Sequence, residues 1–166
     1  MRPVNYVKDD GQSSAFINEP KDFITWDPKL RTGIPDIDSE HENLVVLCND
    51  FYKSLLQNKD TEDYHKVIRR TLERCLNYAA IHFEDEEKLM IAANYDNYRQ
   101  HKAEHEGFKE KVQIAYTRIN QITISEAIKF AHYLRNWIQN HIAYDDKLYI
   151  PALVNFLKSK ATKPKE

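Results

Sequence analysis

Apolar residues recur at steps of three and four in four separate stretches of this chain, the spacing of one face of an α-helix. Leu44, Leu47, Cys48, Phe51 and Leu55 mark the first, which runs from an expected N-cap at Asp38 to about Gln57. Val67, Ile68, Thr71, Leu72, Cys75, Leu76 and Ala79 mark the second, with Thr61 as cap candidate and an end near Ile91. A turn over 92–96 leads to a third, about 97–120, with Phe108, Val112, Ala115 and Ile119 on its inner stripe. Ser125 is the expected cap of a fourth, which carries Ile128, Ala131, Leu134, Ile138 and Ile142. Pro151 should close or kink that helix, because proline pushes the residue before it out of α geometry. With only 3 glycines in 166 residues, long helices joined by short turns fit better than a turn-rich β fold. The expectation is an all-α fold, an up-down-up-down antiparallel four-helix bundle.

The chain is long enough for one domain with a real core. Residues 1–22 are polar, with Gly11, Ser13, Ser14 and Pro20, and read as a flexible non-helical N-terminal arm. Trp26, Pro28, Gly33 and Pro35 make 23–37 an ordered, non-helical lead-in to the domain, which is placed at 23–158, with 159–166 as a basic tail. A net charge of -2 gives no electrostatic reason to expect a nucleic-acid or anionic-membrane partner. No apolar run approaches membrane-spanning length, and the first residues hold no signal-like apolar stretch, so a cytoplasmic location is the default expectation. Cys48 and Cys75 lack CxxC spacing and are expected to be buried thiols on helices.

Five of the seven histidines fall in one layer of such a bundle. His41 lies just inside the start of the first helix, and His82 and Glu86 near the end of the second. His101 and His105 lie near the start of the third, and His141 and Asp146 at the end of the fourth. In an antiparallel bundle these starts and ends share one level. His65 and His132 fall outside that layer and read as surface or structural residues. His82/Glu86 and His101/His105 are i,i+4 pairs, each on one helix face. His141/Asp146 is an i,i+5 pair, which converges only if the helix loosens locally, for example through a π-bulge.

Five imidazoles and two carboxylates exceed the needs of one tetrahedral site. They suit two metals about 3–4 Å apart with bridging carboxylates. The ligand types alone leave iron, zinc, copper and nickel open.

Four motifs in order resemble the bacterial hemerythrins, over about residues 23–150. They are Phe23-Ile-Thr-Trp26 with Gly33-Ile34 and Ile37-Asp38-x-x-His41; His82-Phe83-x-x-Glu86-Glu87-x-x-Met90; His101-x3-His105-x2-Phe108; and Leu134-x2-Trp137-x3-His141-Ile142-x3-Asp146-x2-Tyr149. The resemblance implies two iron ions per chain, bridged by an oxo or hydroxo group. It implies that His101, His105 and His141 bind one iron, that His41 and His82 bind the other, and that Glu86 and Asp146 bridge both. It also implies O2 as ligand at an open position of the second iron, in an apolar pocket at Leu44, Trp137 and Ile142. Glu40 and Glu42 depart from the family, which commonly has Gln and a basic residue there, and Asp96 stands where Pro is common. The added negative charge beside His41 is expected to favour a protonated imidazole or to shift the redox potential.

Reversible O2 binding, as a carrier, store or delivery protein, is the leading functional expectation. An O2 or NO sensor, or a di-iron enzyme handling peroxide or NO, are the alternatives. The chain is expected to be a monomer or homo-oligomer, with no protein partner identified by the residues.

Overall fold

The structure, a computed structural model, describes residues 22–161. All but the last residue of the expected N-terminal arm, and most of the basic tail, lie outside the described residues. After a short 3-10 turn at Pro28–Leu30 the chain forms α1 (Pro35–Gln57), α2 (Tyr64–Ala92), α3 (Tyr98–Arg118) and α4 (Ile124–Asn140). A five-residue π-helical segment, His141–Asp145, joins α4 without a break to α5 (Asp146–Ala161). There is no strand among the described residues. Helix α1 packs on α2 and α4, and α2 packs on α3, which makes the expected four-helix bundle.

The apolar stripes meet as expected. Leu44, Cys48, Phe51, Leu55, Ile68, Leu72, Phe83, Phe108, Val112, Ala131, Leu134 and Ile138 are all buried in one core. A second, smaller cluster of Ile37, Met90, Tyr149 and Leu153 sits at the other side of the histidine layer. Along α1, α2 and the α4–α5 rod, the layer's residues fall between members of these two clusters, so apolar packing excludes water from above and below.

Helix boundaries depart from expectation at four places; at the simplest, α2 starts at Tyr64 with Asp63, not Thr61, at the N-cap position. Helix α1 starts at Pro35, whose fixed φ and missing N–H suit the first helical position. Asp38 is therefore not the N-cap but a first-turn residue. Its carboxylate accepts from Thr32 N at 2.6 Å, Thr32 Oγ1 at 2.8 Å and Gly33 N at 3.2 Å, tying the lead-in to the helix. Gly33 sits at φ 84, a conformation side chains resist. Helix α4 is capped by Thr123 rather than Ser125: Thr123 and Glu126 form a reciprocal capping box. Pro151 neither ends nor closes the last helix, which runs on to Ala161. An interior proline costs about 3 kcal/mol. Burial of Tyr149 and Leu153 on either side of it, against Ile37 and Met90, offsets that cost. The tail thus begins as helix, since residues 159–161 are helical.

Cys48 is 1% exposed, and Cys75 donates to the Leu47 carbonyl at 3.2 Å. Burial pushes both thiols up, that of Cys75 to about 12. A thiol-reactive disulfide reagent at pH 8 is therefore expected to label neither cysteine in the folded protein and both after urea unfolding. Rapid labelling of the native protein would contradict this.

Candidate metal centre

The π-helical segment is the local device that completes the site. The Asp146 N–H reaches back five residues to the His141 carbonyl. The extra residue in this turn swings Asp146 to the face where His141 points, so the i,i+5 pair converges. Asp146 Oδ1 lies 3.1 Å from His141 Nε2. The intervening Asp145 is left beside the ring, its Oδ2 3.3 Å from His141 Nδ1.

All seven predicted donors come together, and all are buried: His41, Glu86, His105 and Asp146 at 0%, and His82, His101 and His141 at no more than 5% exposure. Six of them form two groups that share Glu86, namely Glu86 with His101, His105 and His141, and Glu86 with His41 and His82. Glu86 Oε2 is 3.4 Å from His105 Nε2 and 3.6 Å from His82 Nε2, one from each group. Asp146 spans the groups likewise, with Oδ1 3.5 Å from His101 Nε2 and Oδ2 3.1 Å from His41 Nε2. Tyr149 donates its phenol to Glu86 Oε1 at 2.6 Å.

The chemistry of this donor set fits a cation. His105 Nδ1 faces Glu87 Oε1 at 3.2 Å, and His141 Nδ1 faces Asp145, so both rings carry their protons outward. Their Nε2 lone pairs then face each other at 3.0 Å, and His101 Nε2 approaches His105 Nε2 at 3.1 Å. Nitrogens about 3.0 Å apart each reach one ion at about 2.1 Å when their bonds meet at right angles, whereas a tetrahedral ion spaces them about 3.4 Å apart. Nitrogens at this spacing are close enough to share one ion. Among the described residues, His41 Nε2, His82 Nε2, Glu86 Oε2 and both Asp146 oxygens are buried and meet only one another or the other histidines, with no aligned hydrogen bond, an arrangement that a bound cation satisfies.

Electrostatics inside the cluster are strong. Burial alone pulls the His41 imidazole down, but the carboxylates of Asp146 and Glu86 more than offset it and lift it to about 9. Burial pushes Glu86 up, and the surrounding histidines, His82 foremost, hold it well below the usual carboxylate range.

Several partners of the cluster were not anticipated. Glu40, expected to act on His41, instead meets His82 Nδ1 at 2.8 Å across the α1–α2 interface. Successive helical residues point about 100° apart, so Glu40 and His41 cannot face the same way. Glu42 is exposed. Glu87, Asp145 and Tyr149 join as outer partners, and Glu87 is shared with Lys102 at 2.6 Å. A carboxylate directly after each bridging-type acid, or directly before it, was a readable signal for Glu87 and Asp145.

The three residues expected to wall an O2 pocket lie in different settings beside the cluster. Leu44 borders a small apolar cavity of about 20 Å³ with Ala79, Phe108 and Ile138. Ile142 is buried in the core. Trp137 lies flat on the His141 ring, centroids 4.2 Å apart. His65 and His132 stay outside the cluster, beside Tyr64 and Phe23 respectively.

Comparison with known proteins agrees with this geometry. The hemerythrin HHE cation binding domain matches residues 32–153. A bacteriohemerythrin of Pseudomonas paraeruginosa is 32% identical over 130 residues, covering 78% of this chain and 81% of that protein. A bacteriohemerythrin of Clostridium acetobutylicum is 31% identical, covering 77% of this chain and 99% of that protein. The hemerythrin subunit alpha of Lingula anatina is 30% identical, covering 80% and 97%. A wild-type hemerythrin crystal structure superposes with a TM-score of 0.67 at 24% identity, over 79% of this chain and 98% of that one, which shows a common fold. The chain belongs to the hemerythrin family, and its buried histidine–carboxylate cluster fits an iron centre.

Proposed function

We propose that this protein binds O2 reversibly at two irons per chain, joined by an oxo or hydroxo bridge, as a carrier or store. In this reading His101, His105 and His141 would hold one iron, His41 and His82 would hold the other, and Glu86 and Asp146 would serve both. The observation that carries the reading is the unequal split of the histidines around two shared carboxylates. The side with two histidines has one protein ligand fewer, which leaves a position for O2. The relatives named hemerythrin and bacteriohemerythrin lend it further support.

Bound iron supplies the redox chemistry by which O2 is held and released. The residues of the chain set the outcome. Five imidazoles and two carboxylates make a core less anionic than a carboxylate-rich oxygenase site, which favours the ferrous state and disfavours the high-valent states that cleave O2. Leu44, Phe83 and Ile142 on one side, and Ile37, Met90 and Tyr149 on the other, keep bulk water and its protons away. The Tyr149 proton, its phenol pushed far up by burial, stays on the oxygen that donates to Glu86.

The reading is tested by optical spectra of iron-loaded, reduced protein exposed to O2. A nearly colourless reduced protein should gain visible charge-transfer bands that last many minutes. Rapid decay to the diferric form, with steady consumption of added reductant, would replace the carrier with an enzyme.

A further inference from the structure

Of the two histidines proposed to hold the O2-binding iron, His41 has no partner on its Nδ1 among the described residues. His82 has one. Its Nδ1 lies 2.8 Å from Glu40 Oε2, the shortest of the three histidine–carboxylate contacts outside the donor cluster. The ring nitrogen donates and the carboxylate accepts, which aims the other nitrogen, Nε2, into the cluster. The His82 side chain is 1% exposed, while that of Glu40 is 32% exposed at the protein surface.

The three outer carboxylates are not equivalent. Glu87, behind His105, is ion-paired with Lys102 at 2.6 Å, which dilutes its charge. Asp145, behind His141, stands off at 3.3 Å. No Lys or Arg pairs with Glu40 among the described residues, so no cation competes with the His82 ring for its charge. An anionic acceptor on Nδ1–H makes the imidazole a stronger donor through Nε2 and favours the higher charge state of a metal bound there.

We infer that Glu40 is a positioning and tuning residue for the O2-binding half of the centre: it fixes the His82 ring and, through its unshared charge on Nδ1–H, raises the affinity of that half for O2. The inference rests on the O2-binding reading above. O2 binding draws electron density from the irons, so a more electron-rich His82 stabilises the oxygenated form and lowers the midpoint potential. Glu40→Gln keeps an oxygen to accept the Nδ1–H bond and removes only the charge. Glu42→Gln removes the same charge one helical step beyond His41, at an exposed position.

The test compares the iron-loaded full chain with both variants by redox titration without O2 and by O2 equilibrium. Glu40→Gln is expected to keep its iron, to show a higher midpoint potential and to need about 10-fold more O2 for half-saturation, the low end of what losing an outer partner of a metal-bound histidine costs in metal affinity or activity. Glu42→Gln should match wild type in both. An unchanged potential in Glu40→Gln, an equal shift in Glu42→Gln, or loss of iron from Glu40→Gln would each overturn the inference. Should wild type hold no O2 reversibly while the potential still moves in Glu40→Gln alone, the carrier reading fails and the tuning role of Glu40 stands.

Discussion

Replacing Glu86 with alanine is expected to strip at least one of the two proposed irons from the protein. Glu86 is 0% exposed and lies within 3.9 Å of four of the five cluster histidines, with His41 at 3.5 Å, His82 at 3.6 Å, His105 at 3.4 Å and His101 at 3.9 Å. Without it, two cations about 3–4 Å apart lose a shared anion in a dry site, where their repulsion is poorly screened. Asp146 would be left as the only protein carboxylate shared by the two ions. His65→Ala is the control: His65 sits beside Tyr64 at the start of α2, remote from the cluster near that helix's end. Iron-to-protein ratios from elemental analysis decide the matter. Equal iron loss in both variants would mean that the ligand assignment is wrong.

Removing the metal should have the second large effect. Without an ion, five nitrogen and oxygen atoms of His41, His82, Glu86 and Asp146 are buried with no aligned hydrogen bond among the described residues. Each such atom is costly, and metal binding compensates them together, so it is coupled to folding. A deficit of about 5 kcal/mol corresponds to a fall in melting temperature of roughly 10–20 °C for a domain of this size. Metal-free protein is expected to melt lower by that order and to exchange amide protons faster around the His141–Asp146 turn. Equal melting temperatures with and without metal would contradict the coupling.

The bundle and the donor cluster were legible because each obeys a rule that local sequence can express. Helical periodicity put Leu44, Phe51, Leu72 and Leu134 inside, and the core holds them there. Ligands must share a helix face, so the i,i+4 pairs stood out, and the misfit of His141/Asp146 demanded the loosened turn that the structure has. What depends on contacts between helices was not legible. Glu40 was assigned to its neighbour His41, but helix rotation sends it across to His82. Tyr149 was visible as a motif residue, but its bond to Glu86 spans two helices. An O2 pocket built of Leu, Ile and Trp has no chemical signature distinct from ordinary core. The Thr123–Glu126 capping box was readable and was displaced by the nearby Ser125. The continuation through Pro151 rests on tertiary burial that local propensity does not contain.

The central claim, that this cluster holds two irons which take up O2 and give it back, is tested most directly by measuring gas and metal together. Reduced, iron-loaded protein is saturated with O2, stripped under inert gas and saturated again, with iron determined on the same sample. Two irons per chain, one O2 taken up per iron pair, and nearly all of that O2 recovered on each cycle are expected. A single tightly bound zinc, or O2 that is consumed and not returned, would contradict it.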